Sequence, residues 1–216
     1  QHAATISAFI YTKINQLIVF RYCGESEAGI FAVALNLAFA LIFIPEAFRT
    51  VLYPRVIHSD DDYDVTVRSL RIGFYVWGSI VVFIILLARP LLLMYACSKF
   101  LPSINAFRIL MIAGWFLPLS SLLAPYYVKK GAFAKASFLT VLLGVMSIGM
   151  NLFLVPKYAS LGAAVATGLT CLTGFAMTVL FLQNLSKKNP LIIFIPDFKK
   201  EINFIRQLYL RHTIKA

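Results

Sequence analysis

The chain has 216 residues, of which 60% are hydrophobic and 13% charged, and its formal net charge is +11. The charged fraction is roughly half that of an average soluble protein, which excludes a water-facing globular domain of ordinary polarity. In a soluble protein the positive balance would suggest nucleic acid, but here the cations are placed as a topology signal and no nucleic-acid partner is expected.

Taken in order, the chain reads as an all-α integral membrane protein, a bundle of about six transmembrane helices over residues 1–186. The predicted spans are 3–22, 28–53, 70–93, 106–128, 134–155 and 160–185. A helix needs about 20 mostly apolar residues to cross the hydrocarbon core. Residues 109–128, 136–155 and 158–186 meet that length with no Asp, Glu, Lys or Arg. These runs lack the alternation of barrel strands and are about twice as long. In lipid the backbone must satisfy its own hydrogen bonds, so helices are expected.

The first span, 3–22, is apolar apart from Lys13, Asn15, Gln16 and Arg21. An ammonium at the depth of Lys13 costs several kcal/mol, so it either snorkels or faces a wet interior or a partner. Thr12, Asn15 and Gln16 do not share one face with Lys13, so the polar stripe is broad. The second span, 28–53, passes Pro45, Glu46 and Arg49. Glu46 and Arg49 stand three apart and can pair on one helix face, where they either cancel or serve function. Lys13 and Arg49 together would suit an anionic head group, because phosphate oxygens accept several charge-assisted hydrogen bonds.

The connection 55–69 carries the acidic run Asp60, Asp61, Asp62 and Asp64 and reads as a solvated loop. Proline removes a helix hydrogen bond, so Pro45 and, in the fourth span, Pro118 are expected to bend their helices. Transporters use such bends to line cavities and to move. Gly162 belongs to a cluster of small residues that lets helices approach closely, a packing signal. Residues 187–216 form a basic tail in which Phe198, Ile202, Ile205 and Tyr209 recur at helical spacing. The tail is either an amphipathic helix on the membrane surface or a frayed end.

Lys and Arg gather in the connections after the second and fourth spans and in the tail. By the positive-inside rule these are cytoplasmic, and so are both ends of the chain. Cys23 and Cys97 fall on the opposite side, which leaves a disulfide between them open. His2, His58 and His212 form no cluster, and no phosphate-binding loop, dinucleotide fingerprint or nucleophile elbow is present. Neither an enzyme nor a bound metal or cofactor is expected. The chain starts with Gln1 and shows no signal peptide, so a fragment or a processed chain is expected.

Two stretches carry a resemblance. Thr12-Lys13-Ile14-Asn15-Gln16-Leu17-Ile18, then Glu27-Ala28-Gly29-Ile30-Phe31-Ala32-Val33-Ala34, then Tyr53-Pro54-Arg55, resemble the seventh and eighth helices of polysaccharide flippases. Asn151 to Tyr158, followed by Leu161-Gly162-Ala163-Ala164-Val165-Ala166-Thr167, is similar to their eleventh and twelfth. Order and spacing resemble the Wzx-type O-antigen and capsule flippases of the multidrug/oligosaccharidyl-lipid/polysaccharide exporter superfamily. In two places the chain departs from its relatives: Asn15 stands where many have Asp, and Ala159 where a loop glycine is common.

The resemblance implies one lobe, the C-terminal one, of a twelve-helix, two-lobed transporter in the bacterial inner membrane. Such proteins flip undecaprenyl-pyrophosphate-linked oligosaccharide by alternating access for surface polysaccharide synthesis. Its implied partners are the lipid-linked oligosaccharide, membrane lipids, the N-terminal lobe, and neighbouring polymerases or glycosyltransferases. Lys13 falls in a helix that would line the central cavity, with Arg49, Asn15 and Gln16 as further substrate-binding candidates. A multidrug or cation antiporter on the same fold is the nearest alternative, though it would want acids in the membrane and only Glu46 qualifies. A membrane glycosyltransferase or polymerase would be expected to carry a large external loop, and the external loops here are short.

Overall fold

A computed structural model describes residues 2–58 and 62–187, leaving aside the side chains of 2–12, 47–49, 51–58, 62 and 133. The described chain is almost wholly helical. Helix α1 (His2–His58) is followed by α2 (Asp62–Leu86) and α3 (Ala88–Tyr95), then by a 3-10 turn (Ser98–Ser103). Helices α4 (Ile104–Ser121), α5 (Ala124–Lys129) and α6 (Phe133–Ser186) complete it.

Two of these helices are each a hairpin of two arms. Helix α1 breaks at Gly24 (φ 82°, ψ −178°), a conformation open to glycine and closed to most residues. Helix α6 breaks at Ala159 (φ 49°, ψ −130°), where an alanine holds left-handed backbone. Proline accounts for the smaller interruptions. Pro90 has no N–H for the Leu86 carbonyl, and α2 stops at Leu86. Pro125 likewise leaves the Ser121 carbonyl without its donor, and α4 stops at Ser121. The ladder nonetheless runs across Leu87, which donates to Phe83 and accepts from Leu91, both at 3.1 Å.

Four stretches among the described residues are long and apolar enough to cross a membrane: Lys13–Glu46, Tyr63–Leu86, Ser98–Lys129 and Ala134–Ser186. The first and last hold 34 and 53 residues, more than one crossing needs, and the breaks at Gly24 and Ala159 divide them. The outer surface supports the same reading. Phe43, Phe83, Phe138 and Phe153 are exposed, as are Leu17, Leu86, Val145 and Leu180. A belt of this kind is an aggregation hazard in water and an ordinary surface in hydrocarbon. The expected all-α membrane lobe is therefore the fold observed.

Some expectations are revised. The connection read at 55–69 is largely helix, since α1 runs to His58 and α2 begins at Asp62. Asp64 opens α2 and pairs with Arg68 one turn on, at 3.6 Å, instead of floating in a loop. Arg71, at the start of the predicted third span, is buried within α2 at 6% exposure. Asp60, Asp61 and the tail from 188 onward lie outside the described residues.

The core sits where α1, α4 and α6 meet, around Val19, Phe31, Ala34, Phe107, Met111 and Ala164. A second cluster joins Tyr63, Leu70, Leu123, Tyr126 and Leu182 toward the other end. Helices α2 and α4 are tied by two indoles. Trp77 Nε1 donates to the Gly114 carbonyl at 2.8 Å, and Trp115 Nε1 donates to the Phe74 carbonyl at 3.1 Å. Pro118 stands four residues after Gly114 and cannot serve that carbonyl itself, so Trp77 supplies the missing donor. Gly78 leaves the space that the Trp115 ring fills.

The Gly24 and Ala159 breaks lie at one end of the bundle and are joined there. The Ser160 N–H donates to Glu27 Oε2 at 3.3 Å, capping the second arm of α6 with a carboxylate from α1. Cys23 Sγ sits 3.6 Å from the Val155 carbonyl. Cys23 and Cys97 are both free thiols. Gly162 lies directly against the Leu154 backbone, close enough that a Cβ there would strike the carbonyl.

Candidate functional site

A helix turns about 100° per residue, and this rotation separates the candidates on the first arm of α1. Lys13, Leu17 and Phe20 are exposed and Gln16 is half-buried, all on one outer face. Asn15, Ile18 and Val19 are buried on the opposite face. Lys13 stands 11 residues before the Gly24 break, which at the helical rise is about 16 Å, near the middle of a ~30 Å hydrocarbon core. The structure therefore keeps Lys13 and Gln16 together and takes Asn15 elsewhere.

Asn15 enters a buried polar cluster. Its Oδ1 accepts from Asn151 Nδ2 at 3.1 Å, and its own Nδ2 reaches Thr167 Oγ1 at 3.4 Å. Asn151 Nδ2 also donates to the Ser147 carbonyl at 2.8 Å, and Thr167 Oγ1 donates to Ala163 at 2.9 Å. Asn15, Ser147 and Asn151 are at most 2% exposed. Ser147 Oγ and Asn151 Oδ1 have no partner among the described residues. The cluster is electrically neutral and binds the first arm of α1 to both arms of α6. Its chemistry is that of an interhelical polar joint, whose value in a membrane is about 1 kcal/mol per bond.

Sequence reasoning singled out Asn15 and missed Asn151 and Thr167 as its partners. A signal was present. Asn151 precedes Ala159 by eight residues and Thr167 follows it by eight, so a hairpin turning there brings both to one depth.

The remaining candidates lie toward the opposite end. Glu46 is half-buried, and its Oε1 accepts from Ser121 Oγ at 2.9 Å. The Pro118 carbonyl is also within reach of that hydroxyl, at 2.7 Å. The Arg49 side chain lies outside the described residues, so its pairing with Glu46 stays an expectation. The backbone around Pro45 keeps helical dihedrals, the only departure within α1 being Gly24. Pro118 is buried, with its lost hydrogen bond made good by Trp77 as above. Between α4–α5 and the two arms of α6 lies a cavity of about 340 Å3. Among the described residues no three His, Cys, Asp or Glu converge as metal ligands would.

The described residues thus form a multi-pass helical lobe with a polar joint at Asn15 inside and Lys13 on an outer face. No family model and no curated protein matches the sequence. Two solved structures do match the fold. One is the crystal structure of a MATE point mutant, with a TM-score of 0.70 at 16% identity, matching 86% of this chain and 44% of that one. The other is an outward-facing multidrug resistance MATE family transporter of the MOP superfamily, with a TM-score of 0.67 at 16% identity, matching 86% and 45%. The chain spans less than half the length of either, and at this identity the likeness is one of fold, an all-α membrane lobe.

Proposed function

We propose that the chain is one lobe of a two-lobed MOP-type transporter that flips a lipid-linked oligosaccharide across the bacterial inner membrane by alternating access, with both ends cytoplasmic. The observation that carries the reading is the placement of Lys13. It is exposed near mid-membrane depth, beside Gln16, on a rod whose other face is core. Hydrocarbon is a costly medium for an ammonium at that depth, whereas a water-filled cleft against a second lobe is not. The length of the two solved structures, more than twice that of the matched part, leaves room for such a lobe. A cationic cleft suits a pyrophosphate-linked cargo, with Lys13 and Arg49 as the anion-binding pair and Gln16 as a hydrogen-bonding neighbour.

The test replaces Lys13 and Arg49 with glutamine in the two-lobed assembly and follows lipid-linked glycan on the cytoplasmic leaflet. Accumulation of that glycan is expected; unchanged flipping and intact surface glycan would refute the assignment.

A second reading, a multidrug antiporter, is favoured by the two solved structures, one of which is named as multidrug resistance MATE. Its discriminating feature is an acid in the cleft, for which Glu46 is the candidate. Drug efflux abolished by Glu46→Gln, with no glycan phenotype, would select it.

A further inference from the structure

The cavity of about 340 Å3 lies away from the Lys13 face, with walls supplied by α4, α5 and both arms of α6 and none by α1. Leu139, Leu143, Leu117 and Phe181 line it together with hydroxyl side chains. Six of those hydroxyls are already engaged. Thr140 donates to Ala136, Thr170 to Ala166, Thr178 to Gly174 and Ser120 to Phe116, each to a carbonyl of its own helix. Tyr127 donates to the Thr178 carbonyl at 2.6 Å. Ser121 turns its hydroxyl to Glu46. The walls therefore present mostly hydrocarbon and satisfied polar groups, a lining that favours an alkyl chain over water.

The flank of the cavity is bilayer-facing. Phe138, Val141 and Leu142 on the first arm of α6 are exposed beside lining residues Leu139 and Thr140. Its other boundary is charged. Tyr127 and Ala136 both line the cavity, and the turn that connects them carries Lys129, Lys130 and Lys135, all exposed, with no acid between. An apolar slot that ends at a basic turn is complementary to an amphiphile with an anionic head.

We propose that this cavity holds a hydrocarbon chain of an anionic bilayer phospholipid whose head group rests on Lys129, Lys130 and Lys135. The site depends on the membrane fold and not on the cargo assigned above. It gives the lobe a resident lipid between α4 and the two arms of α6, at the end where α5 turns into α6.

Native mass spectrometry of the full chain in detergent tests it, with phosphatidylglycerol and phosphatidylcholine of identical acyl chains as probes. Preferential retention of phosphatidylglycerol is expected, falling by roughly fivefold for each of Lys129, Lys130 and Lys135 changed to glutamine. Gly144 lines the cavity and an added Cβ there meets no atom within 4 Å, so Gly144→Phe fills the slot without a backbone clash. That variant is expected to lose retention of both lipids, while Lys99→Gln with Arg108→Gln, at the opposite end, changes neither. Equal retention of the two lipids would overturn the proposal. So would a lysine effect with full retention in Gly144→Phe, which would mark a head-group patch without a chain site.

Discussion

The indole of Trp77 donates at 2.8 Å to the carbonyl of Gly114, the acceptor that Pro118 leaves without a helix partner. A buried carbonyl without a donor costs about 1–3 kcal/mol, so the proline in α4 and the tryptophan in α2 form one device. Trp77→Phe is expected to lower stability by about 1–2 kcal/mol in detergent. Adding Pro118→Ala should recover part of that loss, since an alanine N–H can take over the Gly114 carbonyl. Thermal unfolding of the two single variants and the double variant measures the coupling; strict additivity would show that the two residues act separately.

The two hairpin breaks should answer substitution with opposite signs. Ala159 holds φ 49°, where glycine carries no Cβ penalty, so Ala159→Gly is expected to stabilise by about 1 kcal/mol. Gly24 holds φ 82° with open space around it, so Gly24→Ala should destabilise by about 1–2 kcal/mol through backbone strain alone. Unfolding midpoints shifting the same way for both variants would contradict the assignment.

Gly162 makes a different demand. Its Cα faces the Leu154 carbonyl so closely that a methyl group requires the two arms of α6 to separate. Gly162→Ala is expected to cost about 1–3 kcal/mol, as overpacking does, and to loosen the end held by Glu27 and Ser160. Hydrogen exchange at residues 155–165 should rise in this variant, and unchanged protection there would refute the close contact.

Lys13 and Asn15, two residues apart, should separate function from stability. Asn15→Leu removes the acceptor of Asn151 and the donor to Thr167, and is expected to destabilise by about 1–3 kcal/mol. Lys13→Gln, on the exposed face, should leave stability within about 0.5 kcal/mol while impairing transport in the two-lobed assembly. A thermal shift for Lys13→Gln as large as that for Asn15→Leu would place Lys13 in the packing and not in the cleft.

The bundle was legible because apolar length is a direct consequence of bilayer thickness, and the windows around Phe31, Leu110 and Ala164 carry it without ambiguity. The start of α2 was not. Asp60 to Asp64 looked like hydrated loop, yet acids favour a helix N-terminus, and Asp64 and Arg68 lie one turn apart inside the helix. Asn15 was visible as polarity out of place, but its partners lie on another hairpin and only the fold brings them together. Pro118 was read as a bend, while its rescue by Trp77 depends on an indole in α2 whose reach no local pattern discloses.

The Asn15 joint also sets a timetable for assembly. Its partners Asn151 and Thr167 lie 136 and 152 residues further along the chain. At about 5–20 residues per second, the ribosome takes on the order of ten seconds to deliver them. During that interval the first hairpin sits in the bilayer with an uncommitted amide, a polar mark of incompleteness that the last hairpin erases on arrival. A chain stopped before residue 151 would keep that mark.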